Sequence, residues 1–361
     1  MSEQDHLGEI RDHIDEIDAQ IQQLLNERAA AAQEVARIKL ASDPNAVFYR
    51  PEREAQVLRR VKERNTGPLG GEAVARLFRE IMSECLALEL PLNVAFLGPE
   101  GTFTQAAALK HFGHAVKTVS MAAISDVFQE VESGSCHYGV VPVENSSEGV
   151  VSHTLDMFLN SPLQICGEVT LRIHHNLLGR DPDLSHVKTV FSHQQSLAQC
   201  RGWLDRHLPT VERVPVGSNA EAAKRVCEHK HSAAIAGVTA AEIYGLQVLV
   251  PNIEDDAGNT TRFLVIGRQS VPPSGDDKTS LLLSIRNESG GLHRLLAPLA
   301  EHGISMTRIE SRPSRRGNWD YVFFIDVNGH RDDETLAPAL FALRQHAGMY
   351  KELGSYPKAV I

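Results

Sequence analysis

Along the first 38 residues, apolar side chains fall at Leu7, Ile10, Ile14, Ile17, Ile21 and Leu24, then at Ala31, Val35 and Ile38. The alternating steps of three and four predict one long helix with a narrow, heptad-type seam. It should stop near Ser42, because Asp43 and Pro44 follow and a residue ahead of proline is pushed out of the helical region. Pro51 suits the first turn of a second helix. Gly67, Pro68, Gly70 and Gly71 break that helix, and a third is expected from about Glu72 to Glu89. Two shorter helices cannot cover so long a seam within one chain, so dimerisation, as a homodimer or a higher homo-oligomer, is the expected remedy.

After Pro91 the grammar changes. Short β-branched runs (NVAFLG, YGVVPVE, KTVFSH, SAAIAG and RFLVIG) alternate with helical patterns and end in Gly, Pro or a polar turn. This is an α/β pattern, with mainly parallel strands expected. Several strand ends lead into small or polar residues that open a helix, as at 98–104 and 192–196, and such helix N-termini favour carboxylates and phosphates. The run SVPPSGDD at 270–277 reads as a linker. Beyond it, a strand over 279–285, a helix over 292–302, strands over 304–310 and 321–327 and a last helix predict a ferredoxin-like βαββαβ unit. The expected domains are residues 1–91, 92–270 and 276–361.

A chain of 361 residues with 42% hydrophobic and 23% charged content has room for two or three globular domains. The start MSEQDHLGEI lacks the basic and apolar regions of a signal peptide, and no run approaches a membrane span. A cytoplasmic protein with no membrane partner is expected. Five scattered cysteines (Cys85, Cys136, Cys166, Cys200 and Cys227) without a CxxC pair point to reduced thiols. A net charge of −10 argues against nucleic acid as a partner, so any anionic ligand is expected to be held by local arginines.

Cations interrupt the helical seam. Arg28 occupies the heptad position between Leu24 and Ala31, and a guanidinium on a buried seam must be paired. Either an acid such as Glu27 or Glu34 pairs it, or a ligand does. Lys39 returns to nearly the same helix face about 16 Å further on, so the two side chains can straddle a small dianion. Arg11 lies about 42 Å from Lys39 along the same helix; it could complete such a pocket only from an antiparallel partner helix.

This layout, with IRDHIDEID, LLNER and KL over residues 5–90, resembles the all-helical chorismate mutase family. The resemblance implies that Arg28, and Arg11 from a partner chain, bind the substrate carboxylates while Lys39 donates to the ether oxygen of chorismate. Arg53 and Glu54 match the family's Arg-Glu pair, and Glu89 a position held by Gln or Glu beside that oxygen. Arg50 stands where the family often has Asp. A Claisen rearrangement needs no nucleophile or metal, only a compact conformer and donors aimed at the oxygen that gains charge.

The segments GPEGTFTQAA, PVENSSEG, SHQQSLAQC, SAAIAG and NTTRF follow one another over about 93–268 in the order of the prephenate dehydratase family. That resemblance implies two α/β lobes of the periplasmic-binding-protein type around a cleft. Thr261 would be catalytic, donating a hydrogen bond or relaying a proton to the departing ring hydroxyl. Glu144, Asn145, Ser192 and Gln199 would contact substrate. Arg262 is either an ion-pair member or a carboxylate holder. RNESGGLHRLL followed by IESRP resembles the ACT domain attached to these dehydratases, which implies that Gly290, Gly291, Leu292, Glu310, Ser311, Arg312 and Pro313 hold phenylalanine as effector. Gly291 replaces an apolar residue of the family.

The expectation is therefore a multidomain enzyme of phenylalanine biosynthesis, all-α, then α/β, then α+β. It would convert chorismate to prephenate and prephenate to phenylpyruvate, with feedback by phenylalanine and with no metal or cofactor. Two other readings stay open: a dehydratase whose helices only dimerise, and a non-catalytic binder of small ligands.

Overall fold

The computed structural model describes residues 3–44, 46–285, 288–313 and 321–361. Helix α1 (Glu3–Ser42) is a single 40-residue rod. Helix α2 (Pro51–Arg64) starts on its proline and α3 (Gly71–Glu89) follows the glycine turn. They pack through Ala55, Leu58, Val61, Ala75 and Cys85. The seam of α1 remains bare: Leu7, Ile10, Ile14, Ile17, Ile21 and Leu24 are each 40% to 63% exposed. No helix among the described residues is long and apolar enough to cross a membrane.

The middle region has two lobes. Lobe 1 contains β1 (Asn93–Leu97), α4 (Phe103–Phe112), β2 (Lys117–Met121), α5 (Ile124–Ser133), β3 (Tyr138–Asn145), β4 (Gly149–Val150), α6 (Ser152–Phe158) and β5 (Gln164–Arg172). The chain then crosses to lobe 2: β6 (Asn176–Gly179), β7 (Thr189–His193), α7 (Gln194–Gln199), α8 (Arg201–His207), β8 (Glu212–Val216), α9 (Asn219–Glu228), β9 (Ser232–Ala236), α10 (Val238–Tyr244) and β10 (Gln247–Val250). It returns as β11 (Thr260–Gly267), which inserts between β3 and β5 in the order β2-β1-β3-β11-β5. The lobe 2 order is β10-β6-β9-β7-β8.

The expectation of mainly parallel strands needs correction. β1 runs parallel to β2 and β3, and β7 to β8 and β9, but β11 is antiparallel to both its neighbours, and β6 is antiparallel to β9 and β10. The reversals occur where the chain crosses between lobes, because a strand that returns from the other lobe enters the sheet from the opposite end.

The C-terminal unit is βαββαβ: β12 (Asp277–Ser284), α11 (Gly291–Glu301), β13 (Met306–Pro313), β14 (Tyr321–Asn328), α12 (Leu336–His346) and β15 (Met349–Pro357), in the antiparallel order β13-β14-β12-β15. Both faces of its sheet are covered, which explains the unbroken apolar run of β12. Leu281 and Leu283 face α11 and α12, whereas Leu282 joins Val322, Phe324, Leu353 and Tyr356 in one core with Phe128, Phe158, Ile165 and Leu264 of lobe 1. The run at 270–277 is no free tether. Val271 and Ser274 are buried, and Arg59 of α2 donates to the carbonyls of Ser274 at 3.0 Å and Asp276 at 2.7 Å.

Candidate active sites

In the helical region, Arg28 and Lys39 on the C-terminal half of α1 and Glu89 at the end of α3 are half-buried. Burial raises the Glu89 carboxyl above its ordinary range, against the opposing pull of Lys39 and Arg28. The three therefore form one electrostatic group. Lys39 Nζ donates to the Val47 carbonyl at 3.3 Å and sits 5.4 Å from the centre of the Phe48 ring. Arg11 is exposed on α1, about 42 Å from Lys39. The α2 pair divides: Arg53 is exposed, whereas Glu54 turns to Arg79 in a pocket with Tyr49 and His111. Burial raises Glu54 there, with Arg79 opposing.

Between the lobes lies a cleft of about 440 Å³. Lobe 1 contributes Thr102, Phe103 and Thr104 at the N-terminus of α4, with Asn145 and Thr261 from the ends of β3 and β11. Lobe 2 contributes Gln199 of α7 and Gly217, Ser218 and Asn219 at the start of α9. None of the described lining residues is Arg or Lys. The N-termini of the ten-residue helices α4 and α9 open onto the cleft instead and supply positive ends of the helix dipole.

The hydrogen bonds here have a fixed direction. The backbone N–H groups of Ser147 and Glu148 both donate to Asn145 Oδ1 at 3.0 Å. A backbone amide can only donate, so the Asn145 amide is oriented and its Nδ2 must donate. It does so to Thr261 Oγ1 at 2.7 Å and to Asn259 Oδ1 at 2.9 Å. Thr261 is thus an acceptor toward Asn145, and its own O–H is left to donate elsewhere.

The neighbours of these residues face the other way, as the strand period of two requires. Asn145 pairs with Thr261 and Glu144 with Arg262 in the β3–β11 register. Glu144 meets Arg308 of β13 at 3.1 Å. Arg262 lies in a buried group with Glu168 at 2.8 Å, Asp326 at 2.6 Å and the Tyr356 hydroxyl at 3.0 Å. Burial works against the Arg262 charge, but Tyr356, Asp326 and Glu168 outweigh it and raise the pKa. Ser192 is fully buried, its hydroxyl 2.9 Å from the Ile235 carbonyl and 3.0 Å from Asn219 Oδ1. It stands behind the cleft wall and holds Asn219.

In the C-terminal unit Gly290 has φ +74, a left-handed conformation that glycine adopts freely, and caps α11. Gly291 and Leu292 begin that helix, while Arg286 and Asn287 of the same motif lie outside the described residues. On edge strand β13, Ser311 and Pro313 are exposed, whereas Glu310 and Arg312 are half-buried. Arg312 pairs with Asp156 of α6 at 3.1 Å and also donates to Ser152. Sequence reasoning missed His175 and Asn259 as parts of the cleft. Asn259 stands two residues before Thr261, so strand alternation was a usable signal. His175, from the crossing between lobes, had none.

Comparison with known proteins accounts for all three regions. Residues 10–90 match the chorismate mutase type II model, 94–271 the prephenate dehydratase model and 279–345 the ACT domain model. A Stutzerimonas stutzeri protein described as bifunctional chorismate mutase/prephenate dehydratase is 60% identical, with 100% of both chains covered. A protein of the same description from Pseudomonas aeruginosa is 58% identical over the same extent. The crystal structure of prephenate dehydratase from Arthrobacter aurescens in complex with L-Phe aligns with a TM-score of 0.68 at 34% identity, covering 74% of this chain and 90% of that one. With both catalytic regions and the C-terminal unit matched end to end, the chain belongs to the bifunctional chorismate mutase/prephenate dehydratase family.

Proposed function

We propose the following division of labour for this bifunctional enzyme of phenylalanine biosynthesis. Chorismate is held in a site shared between two chains. Arg28, with Arg11 of the partner subunit, takes the carboxylates, and Lys39 and protonated Glu89 donate to the ether oxygen as its bond to the ring breaks. The bare seam of α1 supports a dimer, since six large apolar residues on one helix stripe are the grammar of helix pairing. Arg53 lies near enough in sequence to serve the same site, while Glu54, already paired with Arg79, acts by fixing α2.

Prephenate binds in the two-lobed cleft, its two carboxylates at the α4 and α9 N-termini and on the Gln199 amide. The ring carboxylate leaves as carbon dioxide, its bonding electrons enter the ring, and the C–O bond to the ring hydroxyl breaks. Thr261 O–H donates to that departing oxygen, which becomes water by taking one proton that comes from solvent by way of the threonine hydroxyl; phenylpyruvate is left. The observation that carries this reading is the fixed direction of the Asn145–Thr261 bond, which leaves the threonine proton for the substrate. Thr261→Val, which keeps the shape without the hydroxyl, should lower dehydratase turnover about a hundredfold, as loss of one transition-state donor does. Mutase turnover in the same chain should stay intact. Full dehydratase activity of the valine variant would refute the assignment.

Phenylalanine acts as effector through the C-terminal unit, at Gly290, Gly291 and Leu292 with the β13 segment Glu310, Ser311, Arg312 and Pro313. The contacts of Glu144 with Arg308 and of Arg262 with Asp326 support a direct route from that unit to the strands bearing Asn145 and Thr261. On this reading the enzyme works in the cytoplasm, as a biosynthetic enzyme like its relatives.

A further inference from the structure

The directed hydrogen bonds continue beyond Asn145. Asn259 Oδ1 accepts from Asn145, so its Nδ2 must be the donor, and it donates to Gln199 Oε1 at 3.2 Å. His175 Nε2 lies 2.8 Å from the same Gln199 oxygen. Because that oxygen is an acceptor, the imidazole must carry its proton on Nε2 and donate. The Gln199 amide therefore receives two donors on its oxygen; its side chain lines the cleft, and its nitrogen is buried without a protein partner. A terminal amide alone rotates almost freely between two orientations. Here a flip would set the amide NH₂ against two N–H donors and leave both unsatisfied, a costly state in a buried site.

We infer that His175 is a positioning residue of the dehydration site, holding the Gln199 amide so that its NH₂ group faces into the cleft to receive a substrate carboxylate. The inference rests on the assignment of prephenate to this cleft. The residue is itself held by its main chain and by ring packing. It is 1% exposed. Its backbone N–H donates to Glu254 Oε2 at 2.9 Å, its carbonyl accepts from Ile253 at 2.7 Å, and its ring packs edge-on against Phe103 at 5.6 Å. Glu254 and Ile253 belong to the return crossing between the lobes, so His175 ties the two crossings together where both reach the cleft. Burial lowers its pKa, with the Gln199 bond and Glu254 opposing, which keeps the ring neutral and its single donor directed at Gln199. Gln199 belongs to lobe 2 and Thr261 to lobe 1; the chain His175–Gln199–Asn259–Asn145–Thr261 sets donors on both walls from one origin, the backbone amides of Ser147 and Glu148.

The test uses the full chain and follows kcat and KM for prephenate, with mutase turnover as the control for folding. His175→Phe should raise KM for prephenate and lower kcat/KM about tenfold or more, as loss of an oriented hydrogen bond to a charged group does. A purely structural role would remove active molecules and lower kcat with KM unmoved. His175→Gln, whose amide nitrogen can take the place of Nε2, should recover most of the loss. Gln199→Ala should be impaired, and adding His175→Phe to it should cost nothing further, because the histidine acts through the glutamine. The inference is overturned if His175→Phe leaves KM unchanged, if the glutamine variant fails to recover, or if the two losses multiply. Should Gln199→Ala bind and turn over prephenate normally, the placement of the substrate fails, and the inference with it.

Discussion

If Glu89 donates to the ether oxygen as proposed, one side chain makes the mutase rate depend on pH. A carboxyl donates a hydrogen bond only while protonated, and burial raises this one above its ordinary range despite Lys39 and Arg28. The protonated form therefore persists to higher pH than for a free glutamic acid, and mutase turnover at saturation should fall as pH rises through that raised pKa. The dehydratase should not follow the same curve. Glu89→Gln donates at every pH, so its mutase profile should be flat across that range; superimposable profiles would mean that Glu89 does not face the substrate. The direction of this shift was not legible in the sequence, where burial and cation pull oppose each other with no scale. Motif resemblance likewise named Glu144 with Asn145 and Thr261 with Arg262, but could not say which member of each pair faces the cleft. The strand period decides it: one residue of each pair looks into the cleft and its neighbour looks toward β13, β14 and β15.

At the level of elements, the three helices were readable almost to their ends, because proline and glycine stop them at 42–51 and 64–71. The strand directions in the lobes were less so, since β11 joins a sheet whose other members precede it by a whole lobe. Helix α1 carries a prediction of its own. Arg11 and Lys39 are too far apart on one rod to share a pocket, so Arg11→Ala and Lys39→Ala chains, each mutase-dead, should complement when subunits exchange. Random pairing makes half the dimers mixed, and each mixed dimer keeps one of its two sites, so about a quarter of wild-type mutase activity should return. Absence of recovery in proven mixed dimers would mean that each chain builds its own pocket.

For the molecule as a whole, the C-terminal unit is more than an appended sensor. Leu282, Val322, Phe324, Leu353 and Tyr356 complete the core of lobe 1, so deleting 275–361 should lower the melting temperature of the dehydratase region and depress its activity; an unchanged melt would contradict the shared core. Feedback is better tested by a point change: Arg308→Ala, which breaks the contact to Glu144, should weaken inhibition by phenylalanine while uninhibited dehydratase turnover stays within a few-fold. Inhibition as strong as in the unaltered chain would remove that contact from the route. The insertion of β11 between β3 and β5 also governs the order of events during synthesis. Residues 176–250, forming lobe 2, are contiguous and can fold as they emerge. Lobe 1 cannot, because its inner strand β11 is made after lobe 2 and its core stays open until Tyr356 has left the ribosome. For that interval β3 and β5 offer unpaired edges. Nascent chains that stop between 172 and 260 should therefore be those that chaperones bind longest.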